Sequence, residues 1–292
     1  MSIQIITDSY SSISQKEAES LGVRVIPMPF LVDGTECFED VDLSREEFFR
    51  KLSQGASVST SQPSPTQVME AWDQALSESD EILYFPLSSG LSGACATATM
   101  LSQEEPYTGR VFVVDHGRIA TPLYSMIADA IKLVEAGYPA RQIKEILDRY
   151  GANMSIYLTV NTLDYLKKSG RISSSTAAIG SLLNVKPILQ LNTGILTSYK
   201  RCRGMKQAKN EMIQSIRRDL TEKFGHWHSN GAIHLLTSGS ADEKTTAQWI
   251  EQVRLAFPEY PVHHAPLSLG VCCHTGEGAL GIGISCIPEE LM

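Results

Sequence analysis

Three segments carry residue types that could bind an anion. The first, Ser88-Ser89-Gly90-Leu91-Ser92-Gly93-Ala94, places hydroxyls and flexible backbone between an apolar run and an alanine-rich stretch. If the apolar run is a strand and the alanines open a helix, the unpaired N–H groups at the helix start and the serine hydroxyls together suit an anion. A cap needs one serine, and this turn has three with two glycines. The second segment, Ser57-Val58-Ser59-Thr60-Ser61-Gln62-Pro63-Ser64, also precedes a helical pattern; its plainer reading is an ordinary Ser/Pro loop. The third, Cys273-His274-Thr275-Gly276-Glu277-Gly278, sets a histidine beside glycines that let a ligand or another stretch of chain approach the backbone closely. A lone histidine is equally compatible with a structural role. Arg171 and Arg201 could neutralise an anion, or form surface ion pairs worth little.

One enzymatic alternative follows from the same residues. Gly90-Leu91-Ser92-Gly93-Ala94 differs from the G-x-S-x-G nucleophile elbow only at Ala94, and the order Ser92, Asp115, His274 is the hydrolase order of nucleophile, acid and base. A serine esterase-like hydrolase would use those three. Other machinery is missing: there is no G-x-x-x-x-G-K-[ST] phosphate loop, no G-x-G-x-x-G turn after the first strand and no H-E-x-x-H helix. Cys37, Cys95, Cys202, Cys272, Cys273 and Cys286 form no C-x-x-C pair. They read as small buried apolar residues rather than as a disulfide framework or zinc site. No cofactor and no metal is expected.

These residues must be positioned by a framework, and the apolar patterning supplies one. The first half alternates strand-like runs at 3–7, 23–30, 81–86 and 110–114 with helical patterns. The helices open at Ser14, where Glu17 has capping-box spacing, at Ser64-Pro65, after Ser92, and at Thr121-Pro122. That order predicts a parallel sheet with helices on both faces and a ligand at the carboxyl ends of its strands. The second half, from about Gly151, reads as a strand at 154–160, helices at 161–168 and 174–184, and strands at 186–191 and 195–201 around an Asn192-Thr193-Gly194 hairpin turn. A long helix at 205–224, a strand at 232–237, a helix capped by Ser240 and Glu243, a short strand at Val262 and a final strand at 279–285 complete it. With no repeat or extended linker, the expectation is two closely apposed α/β domains, 1–151 and 152–292.

The 292 residues are 42% apolar and 20% charged, enough to bury a sizeable core. Acidic residues outnumber basic ones 33 to 25, a net charge of −8, which argues against affinity for nucleic acid or a strongly basic membrane-binding face. The N-terminus lacks the pattern of a signal peptide, and no apolar run reaches the roughly 18 residues of a membrane span. The expected location is the cytoplasm.

Several motifs occur in order along the chain: Thr7-Asp8-Ser9, Thr60-Ser61-Gln62-Pro63-Ser64, Ser88-Ser89-Gly90-Leu91-Ser92-Gly93, Leu163 to Ile172, Lys186-Pro187-Ile188 and His274-Thr275-Gly276-Glu277-Gly278-Ala279-Leu280-Gly281. Together they resemble the DegV family of bacterial fatty-acid-binding proteins, the acyl-carrying subunits of fatty acid kinase. The resemblance implies a two-domain α/β fold with a long-chain fatty acid between the domains. It implies a carboxylate held by Thr60, Ser61, Ser92 and Gly93 near His274, with Arg171 and Arg201 at the head group or the partner interface. Its implied partner is the kinase's catalytic subunit, with transient contact at a membrane surface for lipid exchange. It implies a carrier, not a catalyst. The sequence departs from the family pattern at Ala94-Cys95, where Thr-Tyr is usual, at Ser169, usually glycine, and at Asp115-His116-Gly117, usually Asp-Ser-Lys.

Overall fold

The structure, a computed structural model, describes residues 2–173, 176, 185–192 and 194–292. In chain order its strands are β1 (Ile3–Asp8), β2 (Val23–Ile26), β3 (Phe30–Val32), β4 (Thr35–Cys37), β5 (Val58–Thr60), β6 (Glu81–Phe85), β7 (Val111–Val113), β8 (Met154–Thr159), β9 (Val185–Asn192), β10 (Ile195–Arg203), β11 (Ile233–Gly239), β12 (Val262–Pro266) and β13 (Leu280–Cys286).

The first sheet is parallel, in the order β2-β1-β6-β7. Its central strands β1 and β6 are buried over successive residues, Ile5–Asp8 and Ile82–Phe85, as in a strand covered on both faces. Ile5, Leu83 and Phe85 pack against the Thr121–Glu135 and Ala140–Tyr150 helices, and Ile6, Ile82 and Tyr84 against the Pro65–Leu76 and Ala94–Leu101 helices. Two caps form as their spacing predicts: Ser14 accepts from the Glu17 amide, and Ser64 with Gln67 makes a capping box behind Pro65.

The second sheet is mixed, in the order β10-β9-β8-β13-β11-β12. Paired residues point to the same face, so the register writes rows across it. Leu280, Ile282 and Ile284 of β13 pack under the Gly204–Glu222 and Glu243–Ala256 helices. The opposite face turns to the first half of the chain and carries three rows. One contains Ser238, Gly281, Leu158 and Leu189; the next His263, Leu236, Gly283 and Ile156; the third His234, Ser285 and Met154. A small antiparallel sheet, β4-β3-β5, lies against the Leu269–Thr275 helix. One apolar cluster joins both halves, with Tyr10, Met28 and Phe30 beside Val160, Leu163, Leu189 and Leu267. Where the β9–β10 turn meets the Ser88–Gly93 loop, a Cβ on Gly90 would lie 2.8 Å from the Gly194 backbone, so only glycines permit the contact.

Several expectations need correction. The run 23–30 is two strands in different sheets, because Pro27 and Pro29 lack the N–H groups a continuous ladder needs. The helix after Ser92 starts at Ala94, with Gly93 at the cap. Thr121 is the first helical residue rather than the cap, which is Ala120 at φ +55°. The later helix is capped by Asp242, whose carboxylate accepts from the Thr245 amide, not by Ser240. The Arg45–Ser53 and Leu269–Thr275 helices and strands β4 and β5 were not anticipated. The helix expected at 174–184 lies outside the described residues.

At the end of β1 the carboxylate of Asp8, 0% exposed, accepts from the amides of Tyr10 at 2.9 Å and Leu87 at 2.5 Å. Asp8→Ala strands two buried N–H groups and is expected to cost about 2 to 5 kcal/mol. Urea denaturation checks this; a loss below about 0.5 kcal/mol, the range of ordinary surface changes, would remove Asp8 from its structural role.

Candidate functional site

Strands β1 and β6 are neighbours, but the chain leaves β1 toward β2 and β6 toward β7, which opens a crevice at their carboxyl ends. The turns after both strands line that crevice, and Asp8 ties one to the other. Burial pushes the Asp8 carboxyl up to about 7 against the pull of its two amide donors.

Tyr10, held by that carboxylate through its amide, lies under the Leu269–Thr275 helix. A Cβ at position 270 would fall 2.4 Å from its ring, so Gly270 is what lets the helix pack there. The Tyr10 hydroxyl shares a hydrogen bond with Thr60, and burial keeps it protonated. Thr60 Oγ1 in turn lies 3.0 Å from His274 Nε2, across 214 residues of chain. Burial, helped by the nearby Arg171 charge, lowers the His274 imidazole to about 4, so the ring is neutral near pH 7. Its Nδ1 is buried and has no partner among the described residues.

Ser92 faces the same space. Its hydroxyl oxygen accepts from the Ala94 amide at 3.1 Å, leaving its O–H to donate. Gln62 lies over Gly93, where a Cβ would come within 2.9 Å of Oε1, and donates to Thr97 Oγ1 at 3.3 Å. This contact joins the two hydroxyl segments. Ser61 is exposed at the rim, and Arg171, also exposed, donates from Nη1 to the Ser169 carbonyl at 2.5 Å.

Thr60, Ser61, Ser92, Gly93, His274 and Arg171 all line one cavity, whose space open to water centres is ≈ 250 Å³. A single buried water needs only roughly 10–15 Å³ by the same measure. Below its hydroxylated mouth the lining is apolar, with Met28, Leu87, Leu91 and Ile119 facing Ile156, Leu158, Leu191 and Leu236 of the second sheet. A second recess with Lys168, Ser169 and Ser59 adjoins the mouth and shares Thr60, Arg171 and His274.

Two sequence-derived readings can be set against this geometry. Of the two places expected for Arg201, the head group or the partner interface, it lies away from the cavity, exposed on β10 opposite Pro187; Leu196, which lines the cavity, is five positions back along the strand at about 3.3 Å per residue. The hydrolase arrangement is not assembled. Asp115 accepts from the Ser89 amide at 3.2 Å and lines a separate recess, while His274 engages Thr60 rather than Ser92. Sequence reasoning missed Tyr10, Gln62 and the cavity face of β13. The Gly281-Ile282-Gly283-Ile284 alternation was the available signal, since glycine on one face of a buried strand marks a close approach or a space. All six cysteines are buried and unpaired, and among the described residues no cluster of metal-ligating side chains occurs. No described helix is long and apolar enough to cross a membrane.

Fold and site define a class: an α/β protein of two large sheets and one small one, with a cavity that is apolar inside and polar at the mouth. Within that class the chain belongs to the DegV family. The family model, described as an uncharacterised protein of the DegV family, matches residues 2–286. A DegV domain-containing protein of Deinococcus radiodurans is 33% identical over 285 residues, covering 97% of this chain and 98% of its own. A solved structure concerning fatty acid binding of a DegV family protein from Thermus thermophilus is 31% identical, with a TM-score of 0.87 and coverage of 98% of this chain and 100% of that one. A stearic acid-binding protein from Eubacterium ventriosum shares the fold at 22% identity and a TM-score of 0.87, covering 97% of this chain and 98% of its own.

The depressed His274 pKa has a sign. The unfolded chain takes up a proton near 6.5 while the folded ring stays neutral to about 4, so stability is fully present above 6.5 and falls as pH drops toward 4. Wild type should therefore lose more stability between neutral and mildly acidic pH than His274→Gln. Parallel urea curves at the two pH values check this, and equal losses would contradict it.

Proposed function

We propose that this protein is a fatty-acid carrier whose two halves, domains 1–151 and 152–292, enclose a long-chain acyl tail. The supporting observation is the cavity with an apolar interior and the Thr60, Ser61, Ser92, Gly93 and His274 mouth. The Thermus thermophilus relative's fatty acid binding accords with it. Each buried methylene contributes about 0.8 kcal/mol, so a ~16-carbon tail offers roughly 12 kcal/mol before ordering costs. The carboxylate accepts from the Ser92 and Thr60 hydroxyls, and the neutral His274 adds no charge to be desolvated.

The carboxylate is presented to a separate fatty acid kinase. One carboxylate oxygen attacks the γ-phosphorus of ATP on that partner, the bond to the ADP oxygen breaks, and an acyl-phosphate stays in the cavity. The carrier supplies no catalytic group. Arg171, at the rim beside Lys168, stabilises the added phosphoryl charge. Lipid exchange takes place through transient contact with a membrane surface, and the protein acts in the cytoplasm.

Lipid extraction and mass spectrometry of purified protein should find bound long-chain fatty acid. No acyl species, with no saturable uptake after delipidation, would overturn the proposal. Ser92→Ala should weaken binding by about 1 to 3 kcal/mol, while loss of the bond from the Ala94 amide costs only about 1 kcal/mol of stability. Arg171→Ala should leave fatty-acid uptake near wild type yet lower acyl-phosphate formation when a cognate kinase and ATP are supplied; unchanged formation would exclude it from the head-group site.

A further inference from the structure

The cavity floor is not uniform. Moving along β13 away from the His274 helix, the residues facing the first half are Gly281, Gly283 and then Ser285. The two glycines line the cavity and lie near the middle of the sheet, flanked by β8 and β11. The floor there is backbone. A Cβ at Gly283 would sit 3.1 Å from the Ser155 carbonyl oxygen, 3.4 Å from Ile156 Cγ1 and 3.7 Å from Pro122 Cγ, so a methyl there would already touch Pro122, and any larger side chain would extend into the adjoining cavity that Gly283 lines.

The next row is different in kind. Ser285 Oγ accepts from Nη1 of Arg118 at 2.5 Å, and Arg118 is 1% exposed. Three more of its N–H groups donate to the carbonyls of Gly151, Pro122 and Tyr150 at 3.3, 3.4 and 2.7 Å. A guanidinium so fully engaged cannot yield to an alkyl chain without stranding buried donors. Pro122 belongs to both features: its ring lines the cavity and its carbonyl holds Arg118.

We propose that Gly283 sets the acyl chain length this protein accepts, with the Arg118–Ser285 pair as the end stop. The tail runs from the Thr60–His274 mouth along the glycine face of β13, and its terminal carbons occupy the row of Gly283, Ile156 and Leu236. The inference rests on the fatty-acid reading above.

The test uses delipidated wild type, Gly283→Ala, Gly283→Val and Leu236→Ala, titrated with saturated fatty acids of about 12 to 18 carbons, each methylene counting for about fourfold in affinity. Gly283→Ala should shorten the best-bound chain by about one carbon and Gly283→Val by about two to three, while Leu236→Ala lengthens it. Thr60→Val, at the mouth, should weaken every length by a similar factor. A Gly283→Val protein with the wild-type length profile overturns the proposal. If the valine does not fold, an unchanged optimum in both Gly283→Ala and Leu236→Ala overturns it. Wild type that takes up no fatty acid of any length overturns the fatty-acid reading as well, so the two failures are distinct.

Discussion

The buried Asp8 carboxylate is the constraint on which the site depends. It accepts from amides of two different turns, Tyr10 after β1 and Leu87 after β6, at the point where the parallel sheet's connections diverge. From Tyr10 the network runs to Thr60 and His274; from Leu87 the chain runs into Ser88–Gly93. Both sides of the cavity mouth are therefore referenced to one side chain. Its raised pKa follows from the same burial, since two amide donors do not fully replace water around a carboxylate.

The second sheet shows how one element can be core and container together. On one face β13 packs leucine and isoleucine under two helices; on the other it presents glycine, glycine and serine. A packed interior would fill that space, because unfilled apolar cavities cost stability roughly in proportion to their volume. Gly281 and Gly283 instead keep the floor at the level of the backbone, and the walls from the first half do not collapse onto it. The helix starting at Thr121 bridges the two sheets: it packs on β1 and on β11 to β13, while Thr121 donates to the Thr237 carbonyl and Pro122 faces the cavity.

Departures from the family pattern acquire physical meanings. His116 stands where serine is usual; its Nδ1 accepts from the Arg118 amide, so its protonated Nε2 donates to the Pro86 carbonyl at 2.9 Å. That buried pair fixes the backbone from which Arg118 reaches Ser285. Cys95, in place of the usual tyrosine, is buried against the outer face of the parallel sheet with Ala98 and Tyr84, away from the cavity. Ser169, in place of glycine, donates to the Leu166 carbonyl, and its own carbonyl accepts from Arg171.

The sequence by itself determined the parts that depend on local chemistry and periodicity. The apolar runs at 3–7 and 81–86, the Ser14 and Ser64 caps and the hydroxyl-rich segments at 57–64 and 88–94 were legible because each is set by residues within a few positions. The Pro27 and Pro29 interruption was also local, yet the apolar content of 23–30 concealed it. The short Leu269–Thr275 helix was not legible, since seven residues buried almost throughout have no polar face to mark a period. Only tertiary structure decided that His274 meets Thr60 rather than Ser92, that Asp115 faces elsewhere and that Arg201 lies outside the cavity. Those outcomes depend on strand register and on how two sheets face one another, and side chains hundreds of residues apart carry no local signal of their distance. The same reason hid the cavity: lining and core share one composition, and only packing decides which apolar side chains are left facing a space.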